Sequence, residues 1–425
     1  MKRREVIQSL LAGSAVAGLG GCAAMGATPS SAKVVVVGGG YGGATTAKYV
    51  RMLSDYSIDV VLIEPESRFV SCPMSNLVVG GVKQLADITS PYDALKSRHG
   101  VTIVRDRVAS VDIQKKTVTL ATGSSIRYDK LVLAPGVDLQ FDRVQGLGPA
   151  QASGRILQAW KAGPETAALF RQIQAMRDGG VFAIAIPEAP YRCPPGPYER
   201  VSLVAAYLKK NKPRSKVLIL DANQDVTSKG TLFKKAWSEL YPGMVEFRGQ
   251  HKAVAVDAQA LTVKFELQED VTADVLNLLP PMRAADLVVQ TGLANANGRW
   301  SLVDFRSFES TAAPDVHVIG DSIQVAPQMP KSGHMANSQA KVAAAAIVAA
   351  LKDLAPNPQP MLTNTCYSFV SPEEAIHVAS VHEYVAAEKT FKPVAGSGGV
   401  SAARSELEAT YATGWARNIW ADTLG

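Results

Sequence analysis

The chain has 425 residues, of which 47% are hydrophobic and 19% are charged, and its formal net charge at pH 7 is +6. This length and composition are typical of a globular protein with roughly two or three domains. The small basic excess carries no signature of nucleic-acid binding.

The N-terminus has the pattern of an export signal. Lys2, Arg3 and Arg4 precede an apolar stretch over residues 6–19, followed by small residues, so we expect residues 1–27 to be a targeting segment outside the fold. The twin arginine indicates the Tat pathway, which predicts a periplasmic protein. Cys22 follows Leu-Gly-Gly, as in a lipobox. A lipid anchor at Cys22 and a cysteine removed with the signal are both consistent with this pattern.

A glycine-rich motif follows a run of valines at residues 34–37. An uninterrupted β-branched run predicts a buried parallel strand. Gly38, Gly40 and Gly43 then have the G-x-G-x-x-G spacing of a dinucleotide-binding turn, in which the helix N-terminus holds the pyrophosphate. Glu64 ends a second predicted strand (60–63), where a carboxylate can bind a ribose diol. The motif alone leaves FAD and NAD open.

Further elements of the same predicted domain follow in order. Cys72 lies in a Ser-Cys-Pro loop that we expect beside a flavin ring, and strands are predicted over 101–104 and 108–111. Another buried strand ends in an Ala-Pro-Gly turn at Gly136. Such a turn packs against the dinucleotide in flavoproteins with two dinucleotide-binding domains.

A second α/β unit begins near residue 179, with predicted strands over 181–186 and 216–220 and a helix over 201–210. Its first loop, at 187–199, is rich in proline where glycines would be expected. Proline has no amide hydrogen and a fixed φ, so this loop cannot cradle a pyrophosphate. We therefore expect that the electrons do not come from a nicotinamide.

The chain then returns to the first domain. Residues 316–321 resemble a second FAD fingerprint, a strand ending Gly-Asp in which Asp321 binds the ribityl chain. Lys331, Ser332 and Gly333 precede a predicted alanine-rich helix (336–351) whose N-terminus we expect to face the flavin. A proline-rich linker then leads into a C-terminal segment.

Three cysteines remain once Cys22 is set aside: Cys72, Cys193 and Cys366. No C-x-x-C pair or histidine cluster suggests a metal site. An odd count predicts one pair and one thiol with a separate use, and export would allow a disulfide to persist.

Together these patterns predict an α/β fold with two Rossmann-like domains, the first of them discontinuous, and a C-terminal interface domain. The predicted boundaries are 33–145 and 282–355 for the FAD-binding domain, 146–281 for a second Rossmann-like domain without an NAD motif, and 356–425 for the C-terminal domain.

Several long motifs resemble one known family. GGGYGG, CPMSN, YRCPPGPYER, PMPKSG and NTCYS make the chain similar to the flavoprotein subunit of flavocytochrome c sulfide dehydrogenase. That family is related to sulfide:quinone oxidoreductases and disulfide reductases. The resemblance implies that Cys72 carries FAD through a thioether, and that Cys193 and Cys366 form a redox-active disulfide. It also implies a heterodimer with a c-type cytochrome, whose haem c is on the partner.

Each assignment has an alternative. Cys72 is otherwise a buried small hydrophobic residue, and the disulfide is otherwise purely structural. Glu199 is a candidate general base, or equally a solvated carboxylate at a helix start. His334 is expected to pack rather than to react.

The resulting hypothesis is oxidation of sulfide to zero-valent sulfur or polysulfide, with electrons passed to a c-type cytochrome. A sulfide:quinone oxidoreductase is one alternative. A non-catalytic, flavin-loaded carrier is another.

Overall fold

The computed structural model describes residues 31–425. The predicted export signal and Cys22 lie outside the described residues. The strands, in chain order, are β1 (Lys33–Val37), β2 (Asp59–Ile63), β3 (Arg68–Val70), β4 (Thr89–Pro91), β5 (Thr102–Val104), β6 (Val108–Asp112), β7 (Thr117–Leu120), β8 (Ser125–Arg127), β9 (Lys130–Leu133), β10 (Val137–Leu139), β11 (Val181–Ile186), β12 (Lys216–Asp221), β13 (Val245–Arg248), β14 (Ala253–Asp257), β15 (Thr262–Phe265), β16 (Val271–Thr272), β17 (Val275–Leu278), β18 (Met282–Ala284), β19 (Val303–Asp304), β20 (Glu309–Ser310), β21 (Val316–Val318), β22 (Met361–Phe369), β23 (Ala375–Val385), β24 (Thr390–Pro393) and β25 (Gly399–Val400).

The helices are listed in the same way. They are α1 (Tyr41–Leu53), α2 (Ser75–Val79), α3 (Asp93–Ser97), α4 (Leu147–Ala152), α5 (Pro164–Ala175), α6 (Gly196–Asn211), α7 (Gly230–Leu240), α8 (Asp286–Gln290), α9 (Gly333–Leu351) and α10 (Glu406–Leu424), with short 3₁₀ turns at Leu85–Ile88, Phe141–Arg143 and Gly320–Ser322.

Two mainly parallel sheets organise the described residues, which confirms the predicted α/β class; in the first, β19 and β20 are antiparallel. The first has the order β19-β20-β21-β9-β1-β2-β5, and β21, β9, β1, β2 and β5 run parallel. Strand β21 joins this sheet beside β9 from far along the chain, as the predicted return requires. The second sheet has the order β13-β12-β11-β17 and is parallel throughout.

Antiparallel elements complete the structure. Strand β10 lies in the chain between β9 and β11, and β18 lies between β17 and β19. These two strands pair with each other, and β22, β23, β24 and β25 form a C-terminal antiparallel sheet. Helix α10 follows that sheet and packs against α1 and β23. The predicted division into domains and its boundaries stay a prediction.

The valine strand forms the centre of the first sheet. Val34, Val35 and Val36 are fully buried, and each such side chain contributes about 1.5–3 kcal/mol by leaving water. Because parallel strands are covered by helices on both faces, the continuous apolar run is the pattern that this position requires.

Two helices begin earlier than the sequence indicates. Helix α6 starts at Gly196 rather than at residue 201, since a proline at its second position is tolerated in a first turn. Helix α9 starts at Gly333 rather than at residue 336, because Ser332 caps it by accepting a hydrogen bond from the amide of Met335. Both shifts place predicted site residues at the start of a helix.

No helix within residues 31–425 combines the length and apolarity needed to cross a bilayer.

Candidate active site

The glycine motif forms a tight strand-turn-helix at the end of β1. Gly38 has φ +96°, and a Cβ there would lie 2.5 Å from the carbonyl oxygen of Ala134. A Cβ on Gly43 would lie 1.8 Å from the carbonyl oxygen of Gly38, so the helix approaches the strand more closely than any side chain permits. At Gly40 nothing lies within 4 Å, which leaves that backbone open to a ligand. The three glycines thus occupy the positions that the dinucleotide motif assigns them.

Glu64 lies directly after β2, beside this turn. Its carboxylate accepts hydrogen bonds from the amides of Gly39 (2.6 Å) and Glu66 (2.8 Å). The side chain is therefore held at the edge of the glycine turn, where a ribose would be bound.

The return strand brings a second group of predicted residues to the same cavity. Asp321 lies in the 3₁₀ turn after β21, and its Oδ1 is buried without a hydrogen-bond partner among the described residues. Gly136 has φ +75° and open space on its Cβ side. A buried carboxylate oxygen normally has a partner, so this one indicates a ligand with a hydroxyl or amide donor.

Lys331 and Ser332 hold the entry of α9 in place. The ammonium of Lys331 donates to the carbonyl oxygens of Asp321 (2.9 Å) and Ile323 (2.6 Å) and lies 3.6 Å from the ring centroid of Trp300. Burial lowers the pKa of Lys331 to about 7. Ser332 donates to Oδ1 of Asn364 (2.6 Å). A Cβ on Gly333 would lie 2.9 Å from the ring of Tyr41.

Cys72 is half-buried in the loop between β3 and α2 and does not occupy a closed core position. Its Sγ accepts a hydrogen bond of 2.6 Å from Nη2 of Arg192, which also donates to the carbonyl oxygen of Trp160 (2.9 Å). Arg192 belongs to the YRCPPGPYER motif, and no role was predicted for it.

Cys193 and Cys366 meet at the wall of this cavity. Cys193 lies in the loop after β11 with φ +54°, and its amide donates to the carbonyl oxygen of Lys331 at 2.7 Å. Cys366 lies in β22, and a hydrogen bond between the two thiol side chains changes the pKa of each. All the cysteines within residues 31–425 are free thiols in this structure. The structure therefore shows the predicted pair as a contacting dithiol, and the disulfide form stays a prediction.

Gly196 allows the close packing around this pair. A Cβ at Gly196 would lie 2.9 Å from Sγ of Cys193 and 2.6 Å from the ring of Trp160. Only glycine therefore lets the first turn of α6 approach the sulfur.

Glu199 is buried beside the dithiol, with 9% of its surface exposed, which excludes the alternative of a solvated carboxylate. Its two oxygens accept hydrogen bonds from Nδ2 of Asn76 (2.7 Å) and the amide of Phe369 (2.9 Å). Burial raises the pKa of Glu199 despite these bonds. A buried carboxyl with a raised pKa is better suited to donate and accept a proton than a solvated one.

Lys229 is a second buried ionisable residue beside the two cysteines, and no sequence pattern predicted it. Its Nζ donates to the carbonyl oxygen of Cys366 (3.0 Å) and to Oγ of Ser368 (2.7 Å). Burial lowers the pKa of this ammonium, while Cys366 and Glu199 raise it.

The two thiols have opposite shifts. The hydrogen bond with Cys366, followed by burial, raises the pKa of Cys193 well above its ordinary value. The hydrogen bond with Cys193, together with the charge of Lys229, lowers the pKa of Cys366 to about 7.

Arg200 is a buried residue next to this site, with 1% of its surface exposed. It donates to Oδ1 of Asn76 (3.1 Å), Oδ1 of Asn277 (2.8 Å) and the carbonyl oxygens of Gln158 (3.1 Å) and Ala159 (2.6 Å). Because Asn76 in turn binds Glu199, the guanidinium fixes the orientation of the carboxyl beside the dithiol.

His334 also lines the cavity. Its Nδ1 accepts a hydrogen bond of 2.8 Å from the amide of Thr365, and its ring centroid lies 5.8 Å from that of Trp415. Burial lowers the pKa of His334. Both contacts suit the predicted packing role.

The corresponding position of the second parallel sheet is filled by side chains. The carboxylate of Asp221, at the end of β12, is fully buried and accepts a hydrogen bond of 2.7 Å from Tyr198. The hydroxyl of Tyr191 lies 2.8 Å from Oγ1 of Thr227. In dinucleotide-binding folds this carboxylate would hold a ribose, and here the chain's own tyrosine engages it.

A cavity of about 270 Å³ gathers nearly all of the predicted site residues. It is lined by Gly38, Gly40, Glu64, Cys72, Gly136, Cys193, Glu199, Asp321, Lys331, Ser332, Gly333 and Cys366. Gly43 lies behind the turn and does not line it. Within residues 31–425, no group of three or more His, Cys, Asp or Glu side chains is placed to hold a metal ion.

Comparison with known proteins identifies the family. Residues 166–280 match the model of the central region of the sulfide dehydrogenase [flavocytochrome c] flavoprotein chain, and residues 358–424 match that of the flavocytochrome c sulphide dehydrogenase flavin-binding region. Residues 32–162 match the pyridine nucleotide-disulphide oxidoreductase model. The chain is 65% identical over 46 residues to the sulfide dehydrogenase flavoprotein chain of Chlorobaculum thiosulfatiphilum, covering 94% of that sequence and 11% of this one. The chain belongs to the sulfide dehydrogenase flavoprotein family.

More distant relatives of this family also match. The mitochondrial sulfide:quinone oxidoreductase of Mus musculus is 26% identical over 302 residues, which is 68% of this chain and 65% of that protein. The match thus spans slightly less than two thirds of that relative. The solved structure of the sulfide:quinone oxidoreductase of Aquifex aeolicus matches with a TM-score of 0.77 at 19% identity, and the match covers 92% of this chain and 91% of that chain. It shows the same fold.

The residues of the cavity fit a flavin dinucleotide, which the family matches support. The glycine turn offers open backbone at Gly40, Glu64 lies at the ribose position, and Asp321 has an unpartnered buried oxygen. Cys72 lies in the same cavity with its sulfur free of any disulfide.

Proposed function

We propose that this chain is an FAD-dependent sulfide dehydrogenase that oxidises hydrosulfide at Cys193 and Cys366. The observation that carries the proposal is the placement of both thiols at one wall of the cavity that also holds the dinucleotide-binding turn. A purely structural pair would have no reason to lie there. The family membership supports the same chemistry.

In the proposed reaction, the pair begins as a disulfide. Hydrosulfide forms a bond to one cysteine sulfur, the bond between Cys193 and Cys366 breaks, and its electron pair stays on the other sulfur as a thiolate. Arg192 and Lys229 supply positive charge beside the pair, which favours the thiolate. Glu199 is placed to take the proton of the persulfide. The sulfur–sulfur bond of the persulfide then breaks, and its outer sulfur leaves as zero-valent sulfur or joins further hydrosulfide as polysulfide, which leaves Cys193 and Cys366 as two thiolates. Re-formation of their disulfide releases two electrons, for which FAD would be the acceptor.

We propose that FAD is held by Gly38, Gly40, Gly43, Glu64, Gly136, Asp321, Lys331, Ser332 and Gly333 and attached through Cys72. When bound, the flavin supplies a two-electron acceptor next to the dithiol. The glycine turn would hold the pyrophosphate end of the flavin dinucleotide, and the loop of Cys72 would hold its ring end.

For the final acceptor we propose a c-type cytochrome in a heterodimer, with haem c on that partner. The two matching family models and the Chlorobaculum relative carry flavocytochrome c in their names, which supports this choice. A membrane quinone is the second candidate, since the relative from Mus musculus is named a sulfide:quinone oxidoreductase.

The test uses the flavin-loaded protein under anaerobic conditions. Stoichiometric sulfide should bleach the flavin absorbance within one turnover, and oxidised cytochrome c should restore it faster than a soluble quinone analogue. Faster reoxidation by the quinone would favour the second candidate. An unchanged flavin spectrum would leave only the role of a non-catalytic carrier.

We further propose that the chain is exported by the Tat pathway to the periplasm, where Cys22 is either a lipid anchor or is removed with the signal. The intact mass of the mature protein tests this. A mass starting at Cys22 with added acyl chains supports the anchor, whereas a start beyond Cys22 excludes it.

A further inference from the structure

Lys229 is buried at the start of α7, although the helix itself does not require a buried lysine there. It immediately precedes α7 with φ +57°, a region that residues with a Cβ seldom adopt. It is 8% exposed. A lysine at a helix start normally extends into water, and burial of an ammonium is unfavourable unless it is paired.

The ammonium is bound to the strand that carries Cys366. It donates to the backbone oxygen of Cys366 at 3.0 Å and to Oγ of Ser368 at 2.7 Å, so it spans two alternate residues of β22. The ionisable groups that face it are Cys366, Glu199, Cys193 and Glu408.

The charges around the two sulfurs are unequal. Cys366 faces the ammonium of Lys229, and Glu199 opposes that effect. Cys193 faces Glu199, with Arg192 opposing.

We propose that Lys229 is a positioning residue that makes Cys366 the anionic sulfur of the pair, so that hydrosulfide attacks Cys193. This inference rests on the proposed function and assigns the order of its first step. The new bond joins hydrosulfide to Sγ of Cys193, the bond from Cys193 to Cys366 breaks, and the electron pair remains on Cys366 beside Lys229. The sulfur with the lower pKa is the better leaving group, and the step needs no other oxidant.

The first test measures thiolate character without sulfide. The flavin-loaded protein is reduced with a phosphine, and iodoacetamide labelling of Cys366 and of Cys193 is followed by peptide mass spectrometry from pH 5.5 to 9.5. Each rate is normalised to its value at pH 9.5, which removes differences in access. In wild type, Cys366 should be labelled before Cys193 at pH 7. In Lys229→Met the normalised rate for Cys366 at pH 7 should fall about fivefold, as for an upward shift of about one pH unit from a pKa of about 7.

Two further variants separate charge from folding. Lys229→Arg keeps the cation and should restore most of the wild-type profile. Lys234→Met is the matched control: Lys234 lies in α7, the helix that Lys229 precedes, and its half-exposed side chain pairs with Asp225, so this variant should leave the profile unchanged. Superimposable profiles for Lys229→Met and wild type would overturn the role of Lys229.

The second test locates the persulfide. One equivalent of hydrosulfide is added to the oxidised protein, and the product is trapped with iodoacetamide. The trapped persulfide should be on Cys193, and a persulfide on Cys366 would overturn the assignment. A protein that shows the expected labelling profile but is not bleached by sulfide would refute the proposed function while leaving the charge effect of Lys229 intact.

Discussion

Nη2 of Arg192 donates a hydrogen bond to Sγ of Cys72 across 2.6 Å. The two residues come from different parts of the chain, since Cys72 follows β3 and Arg192 follows β11 of the second sheet. The bond places a fixed positive charge next to the sulfur to which we assign FAD. Arg192 also faces Asp321 and Cys193, so one guanidinium connects the attachment site with the dithiol.

The covalent link can be tested by acid precipitation. Wild type should keep its yellow colour in the pellet, and Cys72→Ser should release it to the supernatant, because a serine oxygen cannot form the thioether. Cys193→Ser is the matched control and should retain the colour in the pellet. Flavin released from wild type would contradict attachment through Cys72.

The dithiol should be essential for sulfide oxidation. Cys193→Ser and Cys366→Ser should each lower sulfide-dependent cytochrome c reduction by about 10³-fold or more, as removal of a covalent nucleophile does. FAD should remain attached through Cys72, which the visible spectrum reports. Substantial turnover in either variant would show that only one sulfur, or neither, takes part.

The sequence predicted the local elements of the site well. The glycine turn, Glu64 and Asp321 are carried by strand ends, and their spacing follows from the period of a parallel strand and its turn. The contact between Cys193 and Cys366 was implied by the family resemblance alone. No local pattern encodes the return of β22 to the loop after β11, because such pairing depends on packing between distant segments.

The buried cations of the site were not predicted from the sequence. Lys229, Arg192 and Arg200 are cations, and a cation in a sequence is ordinarily expected at the surface. Their burial becomes evident only when the carbonyl oxygens, thiols and amide side chains that they bind are brought together. Glu199 was selected as a candidate base, but its burial depends on Asn76 and the amide of Phe369, which the sequence places far away.

Nicotinamides should not reduce this flavoprotein. Tyr198 binds the carboxylate of Asp221, and prolines replace the glycines of the loop before α6, so neither a ribose nor a pyrophosphate finds its usual partners. At a roughly 100-fold molar excess of NADH or NADPH over the protein, the anaerobic flavin spectrum should stay unchanged over minutes, whereas sulfide should bleach it. Fast bleaching by NADH would show that this interpretation of the second sheet is wrong.

Stability should depend on the ionisation of Glu199. Burial raises its pKa in the folded protein, so the native state binds a proton more tightly than the unfolded state. Between the ordinary carboxyl pKa and the raised one, the free energy of unfolding should therefore fall as pH rises. Glu199→Gln removes this contribution, and its thermal midpoint should fall less than that of wild type from pH 4 to 7. Parallel curves for the two proteins would contradict a raised pKa.

Removal of the buried charge of Arg200 should destabilise the protein strongly. Arg200→Met would leave Asn76, Asn277 and two carbonyl oxygens without their donor inside the core. Since buried polar groups left unpaired are strongly destabilising, we expect a loss of about 3–5 kcal/mol in the free energy of unfolding.

Arg214→Met is the matched control, because Arg214 pairs with Asp178 at the surface with 77% of its side chain exposed, and it should cost less than about 1 kcal/mol. Urea unfolding of both variants measures the difference. Because Asn76 orients Glu199, Arg200→Met should also reduce sulfide turnover in the folded fraction. Equal losses of stability in the two variants would mean that the buried network contributes no more than a surface ion pair.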